Sequence, residues 1–246
     1  MHVSDVTSGQ ALLSVQGPIS RTLLEQLTTA DLSNEAFPYL TAKEIDLHHA
    51  RALAVRMSFV GELGWELFVP SEFAAGVYER LVEVGASHGL THAGMAALES
   101  TRTEAGRLDY GLDMENTDTP LEAGLGFAVD FDAPDGFVGR EALLAQYEQR
   151  PYRRRLAQFL LNDPEPMLFG EEPILLDGRP VGYLRSGSYG HTLGAAMGFG
   201  YVEHPGGVTA DLVADGDFEV VVAGQRIPAR ASLRSMYDPA NERVRR

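Results

Sequence analysis

Leu53-Ala54-Val55-Arg56-Met57-Ser58-Phe59 and Trp65-Glu66-Leu67-Phe68-Val69, separated by Gly61-Glu62-Leu63-Gly64, decide how the first half of the chain is read. Both runs are rich in strand-forming side chains, and the glycine-bounded segment between them has hairpin-turn character. They predict two adjacent antiparallel strands. Glu44-Ile45-Asp46-Leu47 alternates polar and apolar residues and adds a half-buried strand before them.

Upstream, Ala11-Leu12-Leu13-Ser14-Val15 predicts a short strand that stops at Gly17-Pro18. Pro18 suits the first position of a helix, and Ile19, Leu23, Leu24 and Leu27 follow at helical spacing. Downstream, Pro70-Ser71 opens a helix whose apolar rows are Phe73, Val77, Leu81 and Ala74, Tyr78, Val82, ended by Gly85 or Gly89. A further helix is expected from Met95 to Ala105, stopped by Gly106. The order β-α-β-β-β-α describes an α+β layer built on an antiparallel sheet.

From Tyr152 onward the pattern changes. Apolar runs at 156–161, 173–176, 181–184, 208–212, 218–222 and 227–233 are separated by Gly, Pro and Asp turns. Regular short strands with that punctuation predict a small all-β barrel or sandwich. We place the boundary near Arg150-Pro151, giving domains of 1–150 and 151–246. No internal repeat is visible.

Composition narrows the function classes. The hydrophobic fraction of 44% and charged fraction of 22% are ordinary for a globular chain with a real core. With no cysteine, disulfides, thiolate metal sites and cysteine nucleophiles are excluded. A formal net charge of −15 argues against nucleic acid as a partner. No apolar run is long enough to span a membrane, and the polar start Met1-His2-Val3-Ser4-Asp5 does not read as a secretion signal, so a cytoplasmic protein is expected. The basic clusters Arg153-Arg154-Arg155 and Arg243-Val244-Arg245-Arg246 read as a solvated strand entrance and a frayed terminus.

Catalytic signatures are sparse. There is no phosphate-binding loop, no Gly-x-Ser-x-Gly and no His-Glu-x-x-His. Gly124-Leu125-Gly126 is not a dinucleotide fingerprint and, with Phe127-Ala128-Val129 behind it, is expected to start a strand. His48-His49, taken as strand neighbours, would point to opposite faces and share no metal. His191 falls in the small-residue loop Ser188-Tyr189-Gly190-His191-Thr192. Glu66, between Trp65 and Leu67, is either an outward carboxylate on a one-sided sheet or one aimed into a cavity, where it would accept paired hydrogen bonds from a flat amidine-like edge.

Several blocks, taken in order, resemble the folate-dependent aminomethyltransferase (glycine-cleavage T-protein) family. They are Leu13–Pro18, Arg56–Leu67, Ser100–Gly106, Thr119–Phe127, Phe137–Leu143, Gly182–Gly194 and Tyr237-Asp238-Pro239. Gly61–Leu67 and Ser188–Thr192 are most similar to the branch fused to dimethylglycine and sarcosine dehydrogenases and oxidases. The resemblance implies tetrahydrofolate as cofactor and transfer of an amine-bound methylene to give 5,10-methylenetetrahydrofolate. It implies a methylated-amine-derived one-carbon donor, and a flavin-containing dehydrogenase or oxidase subunit as partner. Glu66 matches the family glutamate that holds the pterin, and Tyr237 the C-terminal tyrosine of the folate site. Leu98 stands where the family has a folate-contacting arginine; Arg102 either compensates or pairs with Glu99 or Glu104.

By the same resemblance, family members carry a long N-terminal segment with an aspartate that assists catalysis. This sequence is expected to lack it, and Asp5 does not match its motif. No catalytic acid or base and no metal ligand is therefore assigned, and activity of the chain alone is left open. Two further readings stand beside the aminomethyltransferase one. The first is a non-catalytic remnant or split subunit completed by a partner; the second is a folate-dependent demethylase acting on another donor.

Overall fold

The computed structural model describes residues 1–246. The chain divides into two units, Met1–Leu98 with Ala240–Arg246, and Glu99–Pro239. The architecture is mixed α and β, as the sequence predicts.

The first unit carries β1 (Gln10–Gln16), α1 (Ser20–Leu24), β2 (Ala42–Leu47), β3 (Ala50–Val55), β4 (Gly64–Pro70) and α2 (Ser71–Gly85). The strands form one antiparallel sheet in the order β1-β4-β3-β2. Strand alternation supplies the core directly. Trp65, Leu67 and Val69 of β4 point inward with Ala52 and Ala54 of β3, and meet Leu23 and Leu24 of α1 and Val77 and Leu81 of α2. Phe73 and Tyr78, read as part of the buried face of α2, lie at its margin and are partly exposed.

Two expectations for this unit are corrected. The strand read as 53–59 ends at Val55. Arg56 then turns inward and is buried, donating from Nη1 to the Phe37 carbonyl at 2.6 Å and from Nη2 to the Arg246 carbonyl at 2.8 Å. Its backbone still pairs, the amide donating to the Thr41 carbonyl at 2.9 Å and the carbonyl accepting from the Leu40 amide at 2.9 Å, before the chain leaves the sheet. β3 and β4 pair antiparallel as predicted, with Gly61–Leu63 in the connection between them, and a tighter hairpin turns at His48-His49, between paired Leu47 and Ala50, with His48 at φ 55°. The C-terminal tail is not frayed either. Arg243–Arg245 form a 3-10 turn, Val244 is buried, and Arg21 also donates to the Arg246 carbonyl, at 2.5 Å.

α3 (Met95–Glu104) contains the division between the units. The second unit continues with α4 (Arg140–Glu148), β5 (Arg154–Leu161), β6 (Pro173–Leu176), β7 (Arg179–Gly190), β8 (Ala195–Glu203), α5 (Ala210–Asp215), β9 (Phe218–Val222) and β10 (Gln225–Ser232). The strands close an antiparallel barrel in the order β10-β5-β8-β7-β6-β9. Phe159, Ile174, Leu184, Ala196, Val202, Phe218 and Val220 fill it.

Here too the sequence misled in places. β8 was not foreseen: every residue from Ala195 to Val202 is buried, so no alternation marks it. It is also rich in Ala and Gly because β7 presses on it. A Cβ on Gly198 would lie 2.1 Å from the Ser186 carbonyl oxygen. Phe127-Ala128-Val129 is not a strand, since Gly126–Ala128 form a 3-10 turn. The apolar run 208–212 splits instead of forming a strand. Val208 enters the core, and the Thr209 hydroxyl caps α5 by accepting from the Leu212 amide at 3.1 Å.

Candidate functional site

Glu66 sits mid-strand on β4, on the sheet face opposite the Trp65 core. Register fixes its neighbours. Ser14 of β1 and Val55 of β3 stand directly across from it, and two residues along the same face Leu12, Phe68 and Leu53 form the next row. Leu12 is 52% exposed and Leu53 38% exposed, so this face presents an accessible apolar row beside a partly buried carboxylate. No hydrogen bond or ion pair within the chain engages the Glu66 carboxylate.

Gln16 closes one end of this row. Its Nε2 donates to the Ser14 hydroxyl at 3.0 Å and to the Met57 carbonyl at 3.4 Å. The side chain lies over Gly64, where a Cβ would come 1.9 Å from Gln16 Oε1. Strand alternation alone places Glu66 and Phe68 on one face. Ser14, Gln16, Val55, Leu12 and Leu53 join them only through register, which sequence reasoning did not supply.

Tyr237 belongs to the second unit, in the segment after β10. It is partly buried, and its backbone is held in place. Its carbonyl accepts from the Ser235 hydroxyl at 2.5 Å, and the Met236 amide donates to Gln158 Oε1 at 2.7 Å. Gln158, buried on β5, donates in turn to the Thr103 carbonyl of α3 at 2.5 Å.

The same helix organises the His191 turn. Glu104 is buried, and its Oε1 accepts from the Thr192 amide at 2.7 Å and the Leu193 amide at 2.8 Å. Ser188-Tyr189-Gly190 is not loop but the end of β7, so only 191–194 turns. His191 is exposed beside the Tyr189 ring at 5.2 Å.

Arg102 is fully buried and consumed internally. It donates to Glu99 through Nε at 2.9 Å and Nη2 at 2.6 Å, to the Arg107 carbonyl at 3.2 Å, and through Nη1 to Asp113. The alternative pairing with Glu104 is not used. Leu98, one turn earlier on α3, is partly buried. Asp5 is exposed and spends its carboxylate on the Thr7 amide and hydroxyl. His48 and His49 occupy the β2–β3 turn, not a strand, and their rings meet at 4.3 Å instead of facing apart.

Residues 1–133 match the GCVT N-terminal domain, and residues 154–238 match the glycine cleavage T-protein C-terminal barrel domain. The chain belongs to the glycine cleavage T-protein family. This family member is 40% identical over 243 residues to human (Homo sapiens) mitochondrial sarcosine dehydrogenase, covering 98% of this chain and 26% of that one. It is 41% identical over 243 residues to 4-methylaminobutanoate oxidase (formaldehyde-forming) of Paenarthrobacter nicotinovorans, covering 99% of this chain and 29% of that one. The fold is that of the glycine cleavage system aminomethyltransferase T from Bartonella henselae, with a TM-score of 0.77 at 22% identity over 96% of this chain and 60% of that one. This T-protein family chain therefore spans just over a quarter of the two sequence relatives. No helix in it is long and apolar enough to cross a membrane.

Proposed function

We propose that this chain binds tetrahydrofolate on the Glu66 face and serves one-carbon transfer, of an aminomethyl or methylene unit, linked to dimethylglycine or sarcosine oxidation or to glycine cleavage. The observation that carries the reading is Glu66, an unengaged, partly buried carboxylate bordered by Leu12, Leu53 and Phe68. A carboxylate without internal donors can accept two parallel hydrogen bonds from a planar ring N–H and amino group, while the apolar row covers the ring face. The pterin of tetrahydrofolate presents that edge, so the residues present fit the cofactor.

When bound, tetrahydrofolate is the acceptor of the one-carbon unit. The chain's own contribution is to fix the pterin through Glu66 and to keep water from its apolar flank through Phe68, Leu12 and Leu53. Tyr237 is proposed as a second contributor to folate binding. The names of the sequence relatives support a methylated amine as donor, with its oxidation carried out by a flavin-containing dehydrogenase or oxidase region outside these residues. No residue is assigned as acid or base.

Calorimetric titration with 5-formyltetrahydrofolate tests the reading, run on the wild-type chain, Glu66→Ala and Tyr237→Phe. Micromolar binding weakened by roughly tenfold or more in Glu66→Ala is expected, as for loss of charge-assisted hydrogen bonds. Binding unchanged in Glu66→Ala would sink the site, and no binding by the folded wild-type chain would sink the cofactor.

A further inference from the structure

The three consecutive arginines at the start of β5 are treated very differently. Arg153 is exposed. Arg154 is spent, pairing with Asp118 at 2.7 Å and with Glu122 and Glu203 at 3.7 Å each, its guanidinium 3.6 Å from the Tyr201 ring centre. Arg155 is partly buried, yet its side chain enters no hydrogen bond or ion pair with the chain, and its Nε is shut off from solvent with no acceptor. A guanidinium presents five N–H donors, and desolvating them unpaired is costly.

Arg155 lines an open cleft of ≈ 560 Å³ within the barrel unit, together with Arg150, Tyr152, Thr209 and Glu148. The cleft is rich in donors. Arg150 is held at the rim by its Nε bond to the Tyr147 carbonyl at 2.9 Å, with its guanidinium 3.8 Å over the Tyr147 ring. Burial raises the Tyr152 phenol above its ordinary value, which keeps it a proton donor. The Thr209 hydroxyl oxygen accepts from the Leu212 amide, leaving its own O–H to donate outward. Burial lowers the Arg155 guanidinium from its ordinary value, Tyr152 opposing, and no carboxylate contributes. Only the exposed Glu148 opposes an anion here.

We propose that this cleft binds a small oxyanion, a carboxylate or a phosphate, with the planar fork of Arg155 as its main contact and Arg150 reinforcing it. The two groups match the fork equally, so the experiment separates them. The cleft is lined by residues of the second unit alone.

The test follows the arginine Nε–Hε signals of the isotope-labelled full chain while inorganic phosphate or acetate is added at constant ionic strength, with chloride as control. The Arg155 signal is expected to move saturably with one anion or both, Arg150 following and Arg153 unmoved. Phosphate saturating first marks a phosphorylated ligand, and acetate saturating first marks a carboxylate one. In Arg155→Met the apparent affinity is expected to fall by about tenfold or more. No saturable movement with either anion, or equal movement at Arg153, overturns the proposal. Should Arg155→Met fail to fold, the wild-type titration decides alone.

Discussion

Arg102 on α3 and Asp113 meet as a directly bonded ion pair with both side chains wholly out of solvent. The carboxylate is completed by the Ser186 hydroxyl of β7 at 2.5 Å and the Asp109 amide at 2.7 Å. Arg102 thus ties the end of α3 to the 109–113 loop and the barrel wall, a role that excludes it from contact with ligand.

Removing one member of such a pair strands the other charge in a dry site. Arg102→Met is expected to cost about 3–5 kcal/mol in chemical denaturation. The double variant Arg102→Met/Asp113→Leu should recover part of that loss. A single-variant cost below about 1 kcal/mol would show that the pair does not hold the unit together.

Glu66 is the contrasting case, because its carboxylate contributes no bond to the fold. Glu66→Leu extends the apolar row and should leave stability within about 0.5 kcal/mol of wild type or raise it. Folate binding should be lost in the same variant. Parallel thermal melts and titrations test this, and a destabilised Glu66→Leu would mean that the carboxylate serves the fold.

Glu104 fixes the 191–194 turn through the Thr192 and Leu193 amides. Glu104→Ala should speed hydrogen exchange at those two amides by an order of magnitude or more while the ladder amides between β7 and β8 stay protected. Glu104→Gln, which keeps one acceptor oxygen, should fall between. Unchanged exchange in Glu104→Ala would show that the turn holds itself.

Asp118 gives a pH dependence of defined sign. Burial opposes ionisation, but the hydrogen bonds from Arg154 at 2.7 Å and the Glu115 amide at 2.8 Å outweigh it and hold the carboxyl below its ordinary value of 3.8. The folded group titrates below the unfolded one, so its stabilisation is complete above the unfolded value and disappears as pH falls through the folded value. Asp118→Asn should lower the denaturation midpoint at neutral pH and differ little from wild type near roughly pH 2. Equal gaps at both ends would rule out this linkage.

Much of the fold follows from local chemistry. β4 could be read from Trp65-Glu66-Leu67-Phe68-Val69 because period-two alternation is a property of the strand itself, and Trp65, Leu67 and Val69 are indeed wholly buried. α2 was legible for the same reason at helical spacing. β8 was not, because burial on both sides erases alternation and Ala and Gly carry no strand signal. Val208–Leu212 misled because an apolar run does not reveal the cap that Thr209 provides.

The candidate site divides along the same line. The sequence by itself determined the strand that carries Glu66, the side of that strand it shares with Phe68, and the family to which the chain belongs. Only the tertiary structure decided that Ser14 and Val55 flank Glu66, that Arg102 is consumed by Glu99 and Asp113, and that the Arg155 side chain is left without a partner while the adjacent Arg154 is fully engaged. Those outcomes depend on strand register and on which donors meet which acceptors after closure of the barrel. Contacts between residues far apart in the chain have no periodicity to announce them.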